Sequence, residues 1–408
     1  MRLAVVSPFV DRSHGTERVL AEQLERLAFQ YGCEIHLYAQ RVADLTITDP
    51  RSKDTPDSGV IFWHKVPSVP GPHVLQYLSW TSFNHILRRW HRLFGGRSFD
   101  LVFSPGINCL DADVVLVHAV FQRFRELWRE EESSASPGFL RNLHRRMYYS
   151  LITYAERCLY TKPQVDLAAV SNRTAGQLAS YFHRQDVLVI LNGVDTAGFS
   201  RTARAARRLE ARANWKFGDN DFVLLLIGNA WHAKGLVTVL ETLSILPELR
   251  LHLIVVGSDD AAPFRQIARQ LGVLERCHWE KPHPDVLRFY AAADLYVGPS
   301  REDPFGLPVA EAMACGLPVI TSCNAGVSER MRDGVDGFIL RDPHDTRTLA
   351  VLVRKLFGSA QLREQIGQAA AEAAQDWTWD RNAAAVWEML QKAKARKVSA
   401  LTVPAKSV

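Results

Sequence analysis

Two hydrophobic patterns alternate along the chain. Short apolar runs rich in β-branched residues, bounded by glycine, proline or polar residues, are followed by longer stretches in which apolar positions recur every three or four residues. The runs read as strands buried on both faces, and the longer stretches as the helices that cover them, which predicts an α/β fold with parallel sheets. Residues 3–6 read as the first strand, followed by a loop containing Gly15 and a helix over 16–29. Strands are expected at 34–38, 101–104, 114–118, 168–171 and 187–191 in the first half. The second half begins afresh, with strands at 222–227, 251–256, 295–297, 318–322 and 337–340 and helices between them.

Between residues 196 and 215 the rhythm gives way to an Arg- and Ala-rich run, RTARAARRLEARANW, read as a linker or connecting helix with a solvated face. The expected division is a first doubly wound domain over 1–200, a second over 215–375, a helix over 376–395 that packs back across the cleft and a flexible basic tail over 396–408. Doubly wound domains bind ligands at the carboxyl ends of their strands, so the loops following those strands are where function is sought.

Composition narrows the class. With 408 residues, 47% hydrophobic and 23% charged, the chain has ordinary globular usage and enough length for two to three domains at about 150 residues each. Disorder, collagen and coiled coil are excluded as its main content. Lys and Arg total 49 against 44 Asp and Glu, a formal charge of +5, too modest to point to nucleic acid. The six cysteines form no Cys-x-x-Cys pair and no zinc-like spacing with histidine, which suits reduced thiols and no structural metal. The amino terminus lacks the long apolar region of a signal peptide, and no apolar stretch is long enough for a membrane span. A soluble protein, attached at most to a membrane surface, is expected. The segment 74–94, with Trp80, Trp90, Arg88, Arg89 and Arg92, reads as an amphipathic helix that either packs on the first domain or lies in a membrane interface.

The segment 298–320, GPSREDPFGLPVAEAMACGLPVI, carries the most chemistry. It follows a strand, turns through Pro304, Phe305 and Gly306, and opens a helix near 308–314. A glycine before a helix start lets backbone approach a ligand, and the free N–H groups and dipole of that helix favour an anion such as phosphate. Asp303 precedes the helix, and Glu311 follows with seven residues between them. Taken alone, the two acids also read as a helix cap and a solvated face.

With its turn and the run Glu311-Ala312-Met313-Ala314-Cys315-Gly316-Leu317-Pro318-Val319, this segment resembles the retaining, nucleotide-sugar-dependent glycosyltransferases of family 4. Those enzymes have the GT-B fold, two doubly wound Rossmann-like domains facing a central cleft. The resemblance implies that Asp303 and the backbone of Phe305, Gly306 and Leu307 hold the donor sugar and phosphate, while Glu311 binds the ribose hydroxyls. Asp303 stands where the family usually has Glu, one methylene longer. The segment 227–236, IGNAWHAKGL, agrees with the family's loop after the first strand of the second domain. There Lys234 fits the lysine that neutralises the diphosphate leaving group, and Asn229 takes a donor-binding position where arginine is frequent.

Further stretches extend the likeness. His14-Gly15-Thr16-Glu17-Arg18 resembles the family's glycine loop after the first strand, which places Gly15 against donor or acceptor. His118 ends an apolar strand at the position of a histidine that the family sets beside the reacting sugar. The implied catalytic residues are therefore His118, Asp303 and Lys234, and the implied donor-binding residues Gly15, Asn229, Lys234, Asp303, Phe305, Gly306, Leu307 and Glu311. The implied activity is transfer of a sugar from a nucleotide diphosphate sugar to a glycan or lipid-linked acceptor, in cell-envelope polysaccharide synthesis. No cofactor or metal is expected, and the implied setting is the cytoplasm, at the inner face of the membrane. Two other readings of the same residues are a sugar-nucleotide epimerase and a non-catalytic nucleotide-sugar-binding subunit.

Overall fold

A computed structural model of the chain describes all residues except 13–14, 49–58, 95–96, 133–138 and 403–408. The chain divides into two compact units, Met1–Leu191 with Trp379–Val408, and Asn192–Thr378.

In the first unit the elements run β1 (Arg2–Val6), β2 (Phe9–Val10), α1 (Gly15–Phe29), β3 (Glu34–Ala39), β4 (Arg41–Val42), β5 (Val60–Lys65), α2 (His73–Phe94), β6 (Leu101–Ser104) and β7 (Val114–Val117). They continue through α3 (Phe121–Glu132), α4 (Phe139–Tyr160), β8 (Asp166–Ala169), α5 (Asn172–Phe182) and β9 (Leu188–Val189). Seven strands form a parallel sheet in the order β5-β3-β1-β6-β7-β8-β9, while β2 and β4 pair separately. Leu3, Ala4, Val5 and Val6 are all fully buried, as a central parallel strand covered on both faces requires.

The second unit contains α6 (Arg201–Asn214), β10 (Phe222–Ile227), α7 (Leu236–Ser244), β11 (Leu251–Val256), α8 (Ala262–Gln270), β12 (Cys277–Glu280), α9 (Leu287–Ala292) and β13 (Leu295–Gly298). It closes with α10 (Leu307–Ala314), β14 (Val319–Ser322), β15 (Phe338–Leu340), α11 (Thr346–Phe357) and α12 (Ala360–Ala374). Its six strands are parallel in the order β12-β11-β10-β13-β14-β15. Leu224, Leu226, Leu253, Val255, Leu295 and Val297 fill one core with the apolar faces of α7 and α11. Each sheet reverses its strand order beside its first strand, and the loops that follow β1 and β10 lie at those switch points.

Three expectations are corrected. The first unit ends at Leu191, not near residue 200, and of the two readings of the arginine run, linker or connecting helix, residues 201–214 are a helix, one that belongs to the second unit. Ser200 caps α6 by accepting the Ala203 N–H, and Arg204, Arg208 and Arg212, spaced one turn apart, reach into the end of α9. Their guanidinium groups donate to the carbonyls of Tyr290, Ala291, Ala292 and Ala293, and Arg208 and Arg212 also hold the Asp294 carboxylate at 2.5 and 3.1 Å. Cations at a helix carboxyl end satisfy its unpaired carbonyls and its dipole. The arginine run is thus an internal clamp.

The tail is corrected too. The second unit extends to Thr378, and α13 (Trp379–Thr402) belongs to the first unit and stays helical through the basic stretch expected to be flexible from 396. It packs on α1: Gln23 Nε2 donates to Asn382 Oδ1 at 2.9 Å, Arg26 pairs with Asp380 at 2.7 Å, and Tyr31 stacks on Trp387. Lys394, Arg396 and Lys397 pair with Asp100, Asp166 and Asp113, acids at the starts of β6, β8 and β7. The expected tail residues 403–408 lie outside the described residues.

Candidate active site

The second unit gathers most of the expected residues in two neighbouring loops at the carboxyl ends of β10 and β13. After β10 the chain passes Gly228 (φ 135°), holds Ala230 in the left-handed region (φ 58°) and turns again at Gly235 (φ 78°). This unusual path is fixed by Asp259, whose carboxylate accepts the N–H groups of Ala230 and Trp231 at 3.0 and 2.7 Å. Trp231 is fully buried and anchors the loop to the core. Asn229 is exposed, with its Oδ1 accepting the Ser258 N–H at 2.8 Å, so it ties this loop to the one after β11.

Gly235 is where the two loops come closest. A Cβ there would stand 2.0 Å from the Pro299 carbonyl oxygen, so only glycine permits the approach. The Arg301 N–H donates to the Ala233 carbonyl at 2.7 Å, and the Arg301 guanidinium meets His232 Nδ1 at 2.9 Å. Across this seam the Lys234 ammonium lies 2.5 Å from Asp303 Oδ2, both side chains mostly buried.

The turn after β13 is equally constrained. Asp303 N–H donates to Asn324 O, Gly326 N–H to Asp303 O, and Val327 N–H to Phe305 O at 2.6 Å, which pins residues 303–305 against the loop after β14. Phe305 is buried beneath the turn. Gly306 takes φ 95° and caps α10, whose first residue is Leu307 and second Pro308, the place where a missing N–H costs a helix nothing. The amino end of α10 therefore opens beside the Lys234 and Asp303 side chains, with its dipole favouring an anion.

Glu311 sits one turn into α10 and is buried, with Tyr290 OH donating to its Oε2 at 2.7 Å. Tyr290 lies on α9, whose end is gripped by the α6 arginines, so the clamp described above also fixes the donor of this bond. Asp285, in the loop 281–286 before α9, is held by both Nη atoms of Arg207 at 2.7 and 2.6 Å.

Gly15 and His118 belong to the first unit, at the carboxyl ends of β1 and β7. Gly15 is the first residue of α1, and its neighbour His14 lies outside the described residues. His118 is buried, its Nε2 has no hydrogen-bond partner among the described residues, and burial lowers its pKa to about 4. It is a neutral imidazole at pH 7, fit to donate or accept a hydrogen bond but not to act as a fixed charge. Three residues further on, Phe121 and Gln122 donate their N–H groups to the Glu156 carboxyl at 2.7 and 3.1 Å, which fixes the turn that carries His118.

Sequence reasoning missed Asp259, His232, Arg301, Tyr290 and Glu156, which act on the site through contacts distant along the chain. His232 and Arg301 lie within the two segments that carry the chemistry, and Asp259 in the Gly257-Ser258-Asp259-Asp260 turn after β11. Among the described residues, no group of three or more His, Cys, Asp or Glu is placed to hold a metal ion.

Two parallel Rossmann-like sheets, the second with a lysine and an acid meeting at a helix amino end, make this a GT-B fold. Over 95% of this chain and 99% of the other, it superposes with a TM-score of 0.75 and 19% identity on WaaG, a glycosyltransferase involved in lipopolysaccharide biosynthesis. With a TM-score of 0.68 and 18% identity, over 96% of this chain and all of the other, it also matches Anabaena HepE in complex with UDP-glucose. Residues 207–373 match the family described as Glycosyl transferases group 1. Among curated proteins, the D-inositol 3-phosphate glycosyltransferase of Thermobifida fusca is 29% identical over 230 residues, 52% of each chain. The chain thus spans about half the length of the curated relatives it matches.

Proposed function

We propose that the protein is a retaining glycosyltransferase that moves a sugar from a nucleotide diphosphate sugar to a glycan or lipid-linked glycan. The observation that carries the reading is the Lys234–Asp303 pair at the amino end of α10, within the part of the chain that matches glycosyl transferases group 1. The HepE complex with UDP-glucose supports a nucleotide-sugar donor, and the likeness to WaaG supports an acceptor in envelope polysaccharide synthesis.

In this reading the diphosphate lies against the α10 amino end, and Lys234 turns from Asp303 toward the departing phosphate, where negative charge grows as the glycosidic bond breaks. Asp303 then accepts hydrogen bonds from the donor sugar, and Glu311, oriented by Tyr290, accepts those of the ribose hydroxyls. Gly15 brings first-unit backbone close to the substrates. His118 supplies a neutral hydrogen bond to the sugar being transferred. Asn229 contributes its amide to the donor side of the loop. The reading assigns no step to a metal or cofactor, and it sets the enzyme in the cytoplasm, in peripheral contact with the inner face of the membrane.

The test is thermal unfolding with UDP, GDP, ADP and their sugar conjugates, followed by product analysis with the responsive donor. Ligand at a hundred times its dissociation constant stabilises the fold by about 2.7 kcal/mol. A shift with one nucleotide series, together with donor hydrolysis or transfer, is expected. Absence of both would overturn the proposal.

A further inference from the structure

The loops after β10 and β13 face each other across the crevice at the switch point of the second sheet, and side-chain bridges join them on either side of a backbone bond. That bond runs from the Arg301 N–H to the Ala233 carbonyl at 2.7 Å. On one side of it Lys234 meets Asp303, with both side chains mostly buried. On the other the Arg301 guanidinium meets His232 Nδ1 at 2.9 Å, with His232 exposed and Arg301 half-buried. The lysine bridge is therefore the deeper one, and the arginine bridge lies nearer the solvent.

Charge decides what the second bridge can do. Lys234 and Asp303 cancel each other, and the amino end of α10 offers only about half a positive charge. The donor proposed above brings a negative charge on each phosphate of its diphosphate. Leaving that charge uncompensated in a place withdrawn from water is costly. Across residues 228–235 and 299–306, which form the two loops, the lysines and arginines are Lys234 and Arg301. The acids of the same loops are Glu302 and Asp303, and both are buried. The cation on the open side of the crevice is thus Arg301.

Its chemistry suits phosphate. A guanidinium presents its N–H donors in a rigid planar fork that matches two phosphate oxygens, and charge-assisted bonds of this kind are roughly twice as strong as neutral ones. Holding so long a side chain in one place costs rotamer entropy, and the bridge to His232 lowers that cost before a ligand arrives. Because a guanidinium only donates, His232 Nδ1 is the acceptor, which sets the imidazole tautomer with its proton on Nε2. The aim of Arg301 then depends on an acceptor at residue 232.

We propose that Arg301 is the second cation for the donor diphosphate, gripping it from the open side of the crevice, and that His232 is the positioning residue that aims it. This rests on the nucleotide-sugar reading above and adds to it a contact that the sequence pattern left out.

The experiment is calorimetric titration of the full chain with the mono- and diphosphates of uridine, guanosine and adenosine. The proteins compared are the wild type, Arg301→Gln, Arg301→Lys, His232→Ala and His232→Asn. In the series that binds, Arg301→Gln is expected to weaken the diphosphate roughly tenfold or more and the monophosphate no more than about threefold, so the preference for diphosphate shrinks. Arg301→Lys keeps the charge without the fork and is expected to fall between Arg301→Gln and the wild type. His232→Ala is expected to lose part of the same preference, and His232→Asn, whose Oδ1 takes the place of Nδ1 as acceptor, to regain it. A merely structural loosening of the loops would weaken both ligands alike and leave the preference in place. An unchanged preference in Arg301→Gln would overturn the proposal for Arg301, and one unchanged in His232→Ala would overturn the positioning role. A wild type that binds no nucleotide of any series would overturn the transferase reading and this inference together, whereas nucleotide binding that Arg301→Gln leaves unaltered overturns this inference alone.

Discussion

The Lys234 ammonium lies 2.5 Å from Asp303 Oδ2, joining the loop after β10 to the turn that opens α10. Both groups are largely withdrawn from water, so each is held where the other leaves it, and the pair is an anion and a cation set side by side before any donor arrives. A diphosphate entering this place competes with Asp303 for the ammonium. Lys234→Ala is expected to lower donor turnover by roughly 10²- to 10³-fold, the loss typical of removing one preorganised charge from a developing oxyanion. Single-turnover hydrolysis of the donor reads the effect. A variant with unchanged turnover would remove Lys234 from the chemistry.

The hydrogen bond from Tyr290 OH to Glu311 Oε2 makes a quieter prediction. Tyr290→Phe keeps the ring, which meets Phe199 edge-on, and removes the hydroxyl that donates to the buried Glu311 carboxylate at 2.7 Å and to the Pro308 carbonyl at 3.2 Å. Such a bond contributes about 0.5–1.5 kcal/mol, more when one partner is charged, so nucleotide affinity is expected to weaken by roughly three- to tenfold. Calorimetric titration with the responsive nucleotide measures it. An affinity equal to wild type would show that Glu311 needs no orienting partner.

How much of this was readable from the chain alone follows from where each residue sits. β10 and β11 occupy their expected limits because central strands of a parallel sheet are buried on both faces and read as unbroken apolar runs, FVLLLI and LHLIVV. β5 and β12 escaped notice: each lies at a sheet edge, with VIFWHK and CHWE half-buried and carrying histidines, so no apolar run announces it. The acids and the lysine of the site were legible because their spacing around a glycine turn is local. Tyr290, Arg301 and Asp259 were not, because their meaning arises only when strands far apart in sequence are laid side by side. The α6 arginines failed for another reason. A run of arginine and alanine has the same composition whether it faces water or grips the carbonyls at the end of a neighbouring helix.

That grip is testable at Arg212. Its side chain is 8% exposed and donates to the carbonyls of Ala292, Gly218 and Asp221 and to the Asp294 carboxylate, which also accepts the Val223 N–H at the start of β10. Arg212→Met keeps much of the length and removes every donor, leaving buried carbonyls and one carboxylate less satisfied. A loss of about 3–5 kcal/mol in denaturant unfolding is expected, the usual consequence of breaking one side of a buried ion pair. A solvated linker arginine would cost less than about 0.5 kcal/mol, and that result would return α6 to the status the composition suggested.

The pH dependence of stability has two sources of opposite sign. On the outer side of the first sheet His36 Nδ1 meets His64 Nε2 at 2.8 Å, Tyr38 OH meets His91 Nδ1 at 2.8 Å, and the His64 and His91 rings lie 4.4 Å apart, with Arg2 and Glu34 adjoining His36. Burial, followed by the like-charged neighbours, lowers His64 to about 3, and burial also lowers His36 and His91. These groups remain neutral in the fold where the unfolded chain binds protons, so their contribution is present above about pH 6.5 and is lost as pH falls from there. Glu156 works the other way. Burial raises it to about 8 in spite of two backbone N–H donors, so its contribution is present at low pH and is lost as pH rises from about 4.5 through 8. Melting temperature is therefore expected to fall on acidification below about pH 6.5, and less steeply in His64→Gln. Glu156→Gln, which keeps an acceptor for the turn beside His118, is expected to remove the loss of stability between about pH 4.5 and 8, and so to steepen the fall on acidification from pH 6.5 to 4.5. Parallel melting curves for wild type and His64→Gln across the acid range would show that the histidine stack is not what titrates.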